Sequence, residues 1–578
     1  MGVHGSFPFR YRRNGSGPAY VFVSGGVLSS LGKGTTTASI ALLLKSRGYR
    51  VTIVKFENYL NIDAGLINPI EHGDAFLCED GTEADMDLGT YERFLNQDMG
   101  RHNFVTMGQI YKAVIDRERA FGYGGEDVEA VPHVTDEIIR RINEAAQRDD
   151  AQIVIIELGG TAGEYQNALY YEASRILDYQ HGERVVHVHV SYLPTPEHIG
   201  EPKTKPTQLS VRALNAMGVQ PDFLVTRATK PIDERRRERL GLFCHVPREH
   251  VIDSPDVPSV YELPLIFAEQ EFDLKLLRQL GLSPRRLSLK GWKEYAQKVK
   301  EAKKSAVRIG VIGKYFATGD YELRDSYAAL LDAIRHAAVA EGSDAHIVWI
   351  NAEELGKVSD PSALLGNLDG IIVPIGWGER GVEGKIRGIQ YARENRIPFL
   401  GLCYGMQLAV VEYARHLLGW SDAHTTEVNP DSKHPVIHII PEQQRILESR
   451  AYGGTMRLGR WDCFLKKGTR TFDIYQRGKQ MEDPKKGLIS ERHRHRYEFN
   501  DAFAPALEKA GLVIAGRSAK ENLVEFIELP AKVHPFFVGT QGHPEYKSRP
   551  LQPHPLFGAF LRAAVTQNAH SSSRENLL

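Results

Sequence analysis

Cysteine is scarce in this chain of 578 residues: Cys78, Cys244, Cys403 and Cys463 are the whole complement. They stand too far apart for a disulfide framework or for the paired spacing of a zinc site, which fits a reducing compartment. No apolar run is long enough to span a bilayer, and 72 Lys and Arg against 73 Asp and Glu leave a net charge of −1. The first absence excludes a membrane-spanning protein; the second removes the global field that draws a chain to nucleic acid or anionic lipid. Residues 1–18 carry Arg10, Arg12 and Arg13 without an apolar stretch, so they read as a flexible tail and not as a signal peptide. Met1–Ser6 fits a loose N-myristoylation pattern, one that chance satisfies easily. A cytoplasmic protein without nucleic-acid or membrane partners is expected. The length and a 42% hydrophobic content call for two to four globular domains.

What is abundant is glycine at particular places. The apolar run Ala19–Val23 leads into Ser24-Gly25-Gly26-Val27-Leu28-Ser29-Ser30-Leu31-Gly32-Lys33-Gly34-Thr35, and a helical pattern follows from Ala38 to Ser46. Strand, glycine-rich loop and helix in this order turn backbone N–H groups toward one point, where a polyphosphate binds; Lys33 would neutralise phosphate and a Thr hydroxyl would reach Mg²⁺. The spacing is a variant one, with five residues between Gly26 and Gly32. Arg50–Lys55 alternates like a second strand, giving a βαβ start.

Residues 79–89 crowd the carboxylates of Glu79, Asp80, Glu83, Asp85 and Asp87 beside glycine. A hard-cation site and a solvated acidic loop are both open there. Ala151–Ile156 reads as a buried strand ending in Glu157-Leu158-Gly159-Gly160-Thr161, and an acid at a strand's carboxyl edge is placed for Mg²⁺, which pairs Asp87 with Glu157 as candidate ligands. After another strand, Arg184–Val190, comes Lys203-Thr204-Lys205-Pro206-Thr207-Gln208, either a proline-stiffened clasp for a second triphosphate or an exposed basic turn.

Residues 288–305 are lysine-rich and amphipathic, with Trp292, Tyr295 and Val299 at helical spacing, and read as a linker helix. A second α/β alternation then begins at Val307–Gly313. Its key feature is Gly401-Leu402-Cys403-Tyr404-Gly405, a cysteine nucleophile elbow between strand and helix. His543 and Glu545 in Gly542-His543-Pro544-Glu545 supply a base for Cys403 and a carboxylate to orient that base. The set resembles the triad of class I glutamine amidotransferases, and Val373-Pro374-Ile375-Gly376-Trp377-Gly378 resembles their oxyanion loop, with Ile375 in place of a glycine. Backbone N–H groups of Gly376 and Tyr404 would hold the oxyanion.

The whole series, with Pro69–Gly73, Val131–Thr135, Gly453–Gly459 and Glu491–Glu498, resembles the CTP synthase family from about Tyr20 onward. The resemblance implies an α/β protein of two doubly wound domains: a P-loop synthetase at 19–287 and, after the linker, a flavodoxin-like class I glutaminase at 306–567, with a flexible tail at 568–578. It implies ATP-dependent amination of UTP to CTP with ammonia from L-glutamine, through a 4-phospho-UTP intermediate and an internal ammonia channel. By the same carry-over Ser30, Leu31, Gly32, Lys33, Gly34, Thr35, Asp87 and Val257 take ATP, and Asp87 and Glu157 take Mg²⁺. Ser29, Glu164, Tyr165, Gln166, Arg239 and the run Lys203, Thr204, Lys205, Pro206, Thr207, Gln208 take UTP or product CTP. Gly376, Tyr404, Gly405, Met406, Gln407, Glu427 and Arg496 take glutamine, His72 lies on the ammonia path, and Lys33, Cys403, His543 and Glu545 are catalytic. GTP as activator, CTP as feedback inhibitor, a homotetramer and filaments are further implications.

Several positions depart from the family pattern. Glu164-Tyr165-Gln166 replaces Asp-Ile-Glu, Arg239 replaces a lysine, Glu57-Asn58 replaces Asp-Pro, and Gly542 stands where an aromatic residue is usual. The loop Phe316–Leu323 is longer than the family's, which bears on GTP activation. Two rival readings are a cofactor-carboxylate amidase of the same plan and a non-catalytic P-loop scaffold; the Arg/His run from Arg492 to Arg496 also admits a nucleic-acid patch.

Overall fold

Seven parallel strands form the first sheet, and the central pair, Ala19–Gly26 and Ile153–Leu158, are the largely apolar runs that burial on both faces requires. In this computed structural model, which describes residues 17–198, 200–302, 306–314, 317–318, 321–322 and 324–575, the sheet order is Phe104–Thr106, Val51–Glu57, Ile153–Leu158, Ala19–Gly26, Val185–Tyr192, Phe223–Ala228, Val251–Pro255. The glycine-loop strand Ala19–Gly26 is therefore central. Its neighbour Ile153–Leu158 carries Glu157, and both open at their carboxyl ends, where ligands of open α/β sheets bind. Helices Lys33–Ser46, Thr135–Arg148, Ala168–His181 and Lys205–Ala216 cover the sheet.

The chain forms two compact units, one of Met1–Ile62 with Thr90–Ala296 and one of Asp63–Gly89 with Gln297–Leu578. The second unit has a nine-stranded mixed sheet. Asp344–Asn351, Ala306–Gly313, Gly370–Val373, Phe399–Leu402 and Phe537–Thr540 run parallel. From there Val524–Glu528, Val513–Ser518, Arg457–Leu465 and Leu488–His495 follow antiparallel. The strand before Cys403 and the strand before His543 are immediate neighbours, Leu402 opposite Thr540.

The tail 1–16 and residues 315–316, 319–320 and 323 of the expected long loop lie outside the described residues, while Ala317–Thr318 and Tyr321–Glu322 pair as an antiparallel hairpin. The final helix, Pro555–Glu575, continues into the stretch expected to be a tail, and there Asn568 Nδ2 donates to Asp369 at 2.9 Å.

Candidate functional sites

In the first unit the glycine loop follows its strand directly. Gly32 has φ +86° and caps the helix Lys33–Ser46, a backbone shape that favours glycine. Lys33 Nζ donates to the Gly160 carbonyl at 2.6 Å, which holds the ammonium at the end of the neighbouring strand. A Cβ on Gly26 would lie 1.6 Å from Ser210 Oγ; only a bare backbone lets that serine and His189 approach. His189 bridges Ser24 at 2.9 Å and Ser210 at 2.6 Å, and burial pushes its pKa down to about 3, so it works as a neutral hydrogen-bonding link. Ser29 and Ser30 are exposed on the loop, and Leu31 and Gly34 are buried beneath it.

Glu157 is buried, with Lys55 Nζ at 2.7 Å on one oxygen and the Tyr91 hydroxyl at 2.5 Å on the other. Each oxygen keeps a second lone pair, so the group retains capacity for a hard cation. Glu164 accepts from the Thr161 N–H (3.0 Å) and hydroxyl (2.6 Å), while Tyr165 is 96% exposed and Gln166 also faces solvent. The Lys203–Gln208 run is only in part a turn. Lys205 begins the helix Lys205–Ala216 with Pro206 in its first turn, where a missing N–H costs nothing. Thr207 donates to the Tyr192 carbonyl at 3.0 Å and Gln208 to Thr204 at 3.1 Å, leaving Lys205 exposed and Lys203 partly so. Arg239 is exposed on the helix Glu234–Cys244, and Val257 follows the last strand.

In the second unit the acidic segment is not a free carboxylate cluster. Glu83 pairs with Arg494 at 2.7 Å and Glu79 with Arg492 at 3.2 Å, and Arg492 also donates to the Leu77 carbonyl at 2.8 Å. Both arginines are buried, so neither presents its charge to solvent. Asp87 opens the helix Asp87–Leu95, its N–H bonded to the Asp85 carboxylate at 3.3 Å. His72 belongs to the helix Pro69–His72, and its side chain lies outside what is described.

Cys403 occupies the elbow with φ +50°, fully buried, between Phe399–Leu402 and the helix Tyr404–Leu417. The glycines on either side are a steric necessity. A Cβ on Gly405 would meet the Val373 carbonyl at 1.9 Å, and one on Gly401 would meet the Gly405 backbone at 2.8 Å. The Cys403 N–H is held by the Thr540 carbonyl at 2.7 Å, and the His543 N–H by the Arg492 carbonyl, also at 2.7 Å. His543 Nδ1 lies 2.6 Å from Glu545 Oε1. Burial opposes a charged imidazole, but Glu545 and the Cys403 side chain outweigh it and push the His543 pKa up to about 10. That is the direction of an imidazolium held between Glu545 and Cys403. Gln541, missed in the sequence reading of the site, points its amide at Cys403 Sγ at 3.4 Å and is itself held by Gln407 at 3.1 Å.

Around this triad, Glu427 accepts the Gly378 N–H at 2.9 Å through one oxygen, and its other oxygen is buried without a hydrogen-bond partner. Such an acid suits an ammonium ligand. Arg496 donates to the Tyr452 carbonyl (2.8 Å), Thr455 (2.9 Å) and Gln443. Gly376 has φ +149° in the loop after Gly370–Val373, and Tyr404 and Met406 are fully buried at the helix start. Gly542 has a reason in this chain: a Cβ there would lie 2.8 Å from Glu491 Cβ, so the backbone packs where a side chain has no room.

Residues 19–282 match the family model described as CTP synthase N-terminus, and residues 322–563 the model described as glutamine amidotransferase class-I. A CTP synthase of Caldanaerobacter subterraneus subsp. tengcongensis is 46% identical over 549 residues, 94% of this chain and 98% of that protein. One of Pyrococcus furiosus is 45% identical over 547 residues, 94% and 97% of the two chains. A solved structure described as the glutaminase domain of Trypanosoma brucei CTPS with bound acivicin is 36% identical, covers 45% of this chain and 94% of its own, and has a TM-score of 0.40. Among the described residues no helix is long and apolar enough to cross a membrane.

Proposed function

Because the chain belongs to the CTP synthase family, whose reaction aminates UTP to CTP with nitrogen from glutamine, we propose that it does so in two coupled steps through a phosphorylated pyrimidine. The observation that carries the nitrogen-supplying half is the buried Cys403, His543 and Glu545 array, with the 2.6 Å His543–Glu545 bond. Cys403 attacks the glutamine side-chain amide and forms a thioester. His543 delivers its proton to departing ammonia, and water then releases glutamate. Glu427, through its unpartnered oxygen, and Arg496 grip the amino acid end.

In the synthetase half, ATP phosphorylates the 4-oxygen of the uracil, turning a poor leaving group into a good one; ammonia, passed internally, displaces phosphate to give CTP. Lys33 and the glycine loop hold the ATP phosphates, because phosphoryl transfer asks for positioning and charge neutralisation. Mg²⁺ would supply neutralisation of the phosphate charge, and the buried oxygen donors of Glu157 suit it. The Lys203–Gln208 run, Ser29, Glu164–Gln166 and Arg239 bind the pyrimidine nucleotide; that run distinguishes this reading from a cofactor amidase. GTP activation, CTP inhibition and a homotetramer belong to the same proposal, on family grounds.

The test is conversion of UTP to CTP with ATP and Mg²⁺, supplied with glutamine or with ammonium. Cys403→Ala is expected to abolish the glutamine-driven reaction and leave the ammonium-driven one within about two-fold. Glutamine hydrolysis without CTP from either nitrogen source would overturn UTP as the substrate.

A further inference from the structure

Two lysines lie beneath the oxyanion loop, and the triad chemistry uses neither. Lys385, inside the helix Val382–Glu394, is fully buried, and among the described residues no acid forms an ion pair with it. Its Nζ donates to the Pro374 carbonyl at 2.9 Å and to the Ile375 carbonyl at 3.3 Å. Lys314 donates to the Gly378 carbonyl at 3.2 Å, the Arg380 carbonyl at 3.0 Å and the Trp377 carbonyl. The Tyr327 hydroxyl donates to the Ile375 carbonyl at 3.3 Å. Ile375 itself is buried in the hydrophobic core with Tyr327, Ile372 and Leu402.

A peptide unit is planar and trans, so its C=O and N–H point in opposite directions. Drawing the Ile375 carbonyl toward Lys385 and Tyr327 therefore sends the Gly376 N–H out of the other side of the loop. We infer that Lys385 is a positioning residue for glutamine hydrolysis, holding the Ile375–Gly376 peptide with its N–H aimed at the developing oxyanion. Tyr327 and the buried Ile375 side chain brace the same peptide, and Lys314 fixes the loop downstream. Gly376 is required for this arrangement, since a Cβ there would lie 2.8 Å from Lys385 Nζ. Burial lowers the Lys385 pKa well below the usual lysine value, and a neutral amine still carries two N–H donors, enough for both carbonyls. The amine also lies 5.5 Å from the centre of the Tyr404 ring, on the residue that offers the other oxyanion donor.

This inference rests on the glutaminase reading, and the experiment separates the two. Full-length parent, Lys385→Met and Tyr327→Phe are compared in glutamate release from glutamine and in alkylation of Cys403 by iodoacetamide, a substitution at carbon that forms no oxyanion. Lys385→Met keeps the stem and removes the donors. Its expected kcat is about 10- to 100-fold lower, with KM within about three-fold and an alkylation rate within about three-fold of the parent, since loss of one oxyanion donor outright costs about 10²–10³. Lys385→Gln, which restores an amide donor, is expected to recover part of the loss. Tyr327→Phe, which removes one hydroxyl, is expected to lose about two- to ten-fold in kcat and reads the same peptide if Lys385→Met does not fold. Parent-like kcat in every variant that folds, or alkylation falling in step with hydrolysis, overturns the inference. A parent that releases no glutamate overturns the glutaminase reading instead.

Discussion

At Cys403, three constraints meet on one atom: a strained backbone, a neighbouring imidazole and a helix N-terminus. The imidazole makes the arrangement sensitive to pH in a definite direction. His543 has a folded-state pKa of about 10 against an ordinary 6.5, so the stability its charge contributes is fully present below about pH 6.5 and is lost as pH rises through 10. Glu545→Gln removes one of the charges that raise this value. The gap in denaturant midpoint between parent and Glu545→Gln is expected to be widest near pH 6.5 and to close toward pH 10, with glutamine hydrolysis lower by about 10- to 10³-fold at pH 8; urea titrations at several pH values and initial rates check both. The triad was legible in the sequence because its signals are local, glycines two residues away on either side of Cys403 and an acid two residues after His543. Lys385 was not legible: a lysine in Val382-Glu383-Gly384-Lys385-Ile386 reads as solvated, and only the fold shows that the helix turns it inward. The ion pairs of Glu79 and Glu83 were illegible for the complementary reason, since their arginine partners are more than 400 residues away in sequence.

Among the elements, the strand–elbow–helix unit tolerates the least change. Gly405 packs its bare α-carbon on the Val373 carbonyl, backbone against backbone, so no side chain can yield. Gly405→Ala is expected to cost about 3 kcal/mol or more, at the upper end of ordinary overpacking, and to abolish glutamine hydrolysis while ammonium-driven CTP formation persists; denaturant unfolding and the paired assay measure it. Strands were readable from composition, because a parallel sheet covered on both faces demands runs such as Ile153–Leu158. The start of the helix at Lys205 was harder to read, because a proline after two lysines suits a turn and a first helical turn equally.

For the whole molecule, the stretch Asp63–Gly89 belongs to the compact unit built mainly from Gln297–Leu578. One tie that holds it there is the buried pair Glu83–Arg494, with side chains only 2% and 6% exposed. Glu83→Gln leaves Arg494 with only the more distant Asp74 carboxylate at 3.8 Å, and Arg494→Met leaves Glu83 buried without its cation; each is expected to destabilise the second unit, by up to about 3–5 kcal/mol. The double variant should cost less than the two singles together, and a double-mutant cycle on unfolding free energies gives the coupling directly. Chain order hid this tie, since sequence assigns a segment to its flanking residues and packing assigns it to its partners.

The adjacency of the Phe399–Leu402 and Phe537–Thr540 strands has a consequence for the protein's synthesis. The nucleophile leaves the ribosome well ahead of its base, since His543 follows Cys403 by 543 − 403 = 140 residues. At about 5–20 residues per second that interval lasts roughly 7–28 s. Throughout it Cys403 lacks its partner imidazole, because the strand that will deliver His543 has not yet been made. The nascent chain thus carries its nucleophile without its base, and the two come together only when the Phe537–Thr540 strand joins the sheet.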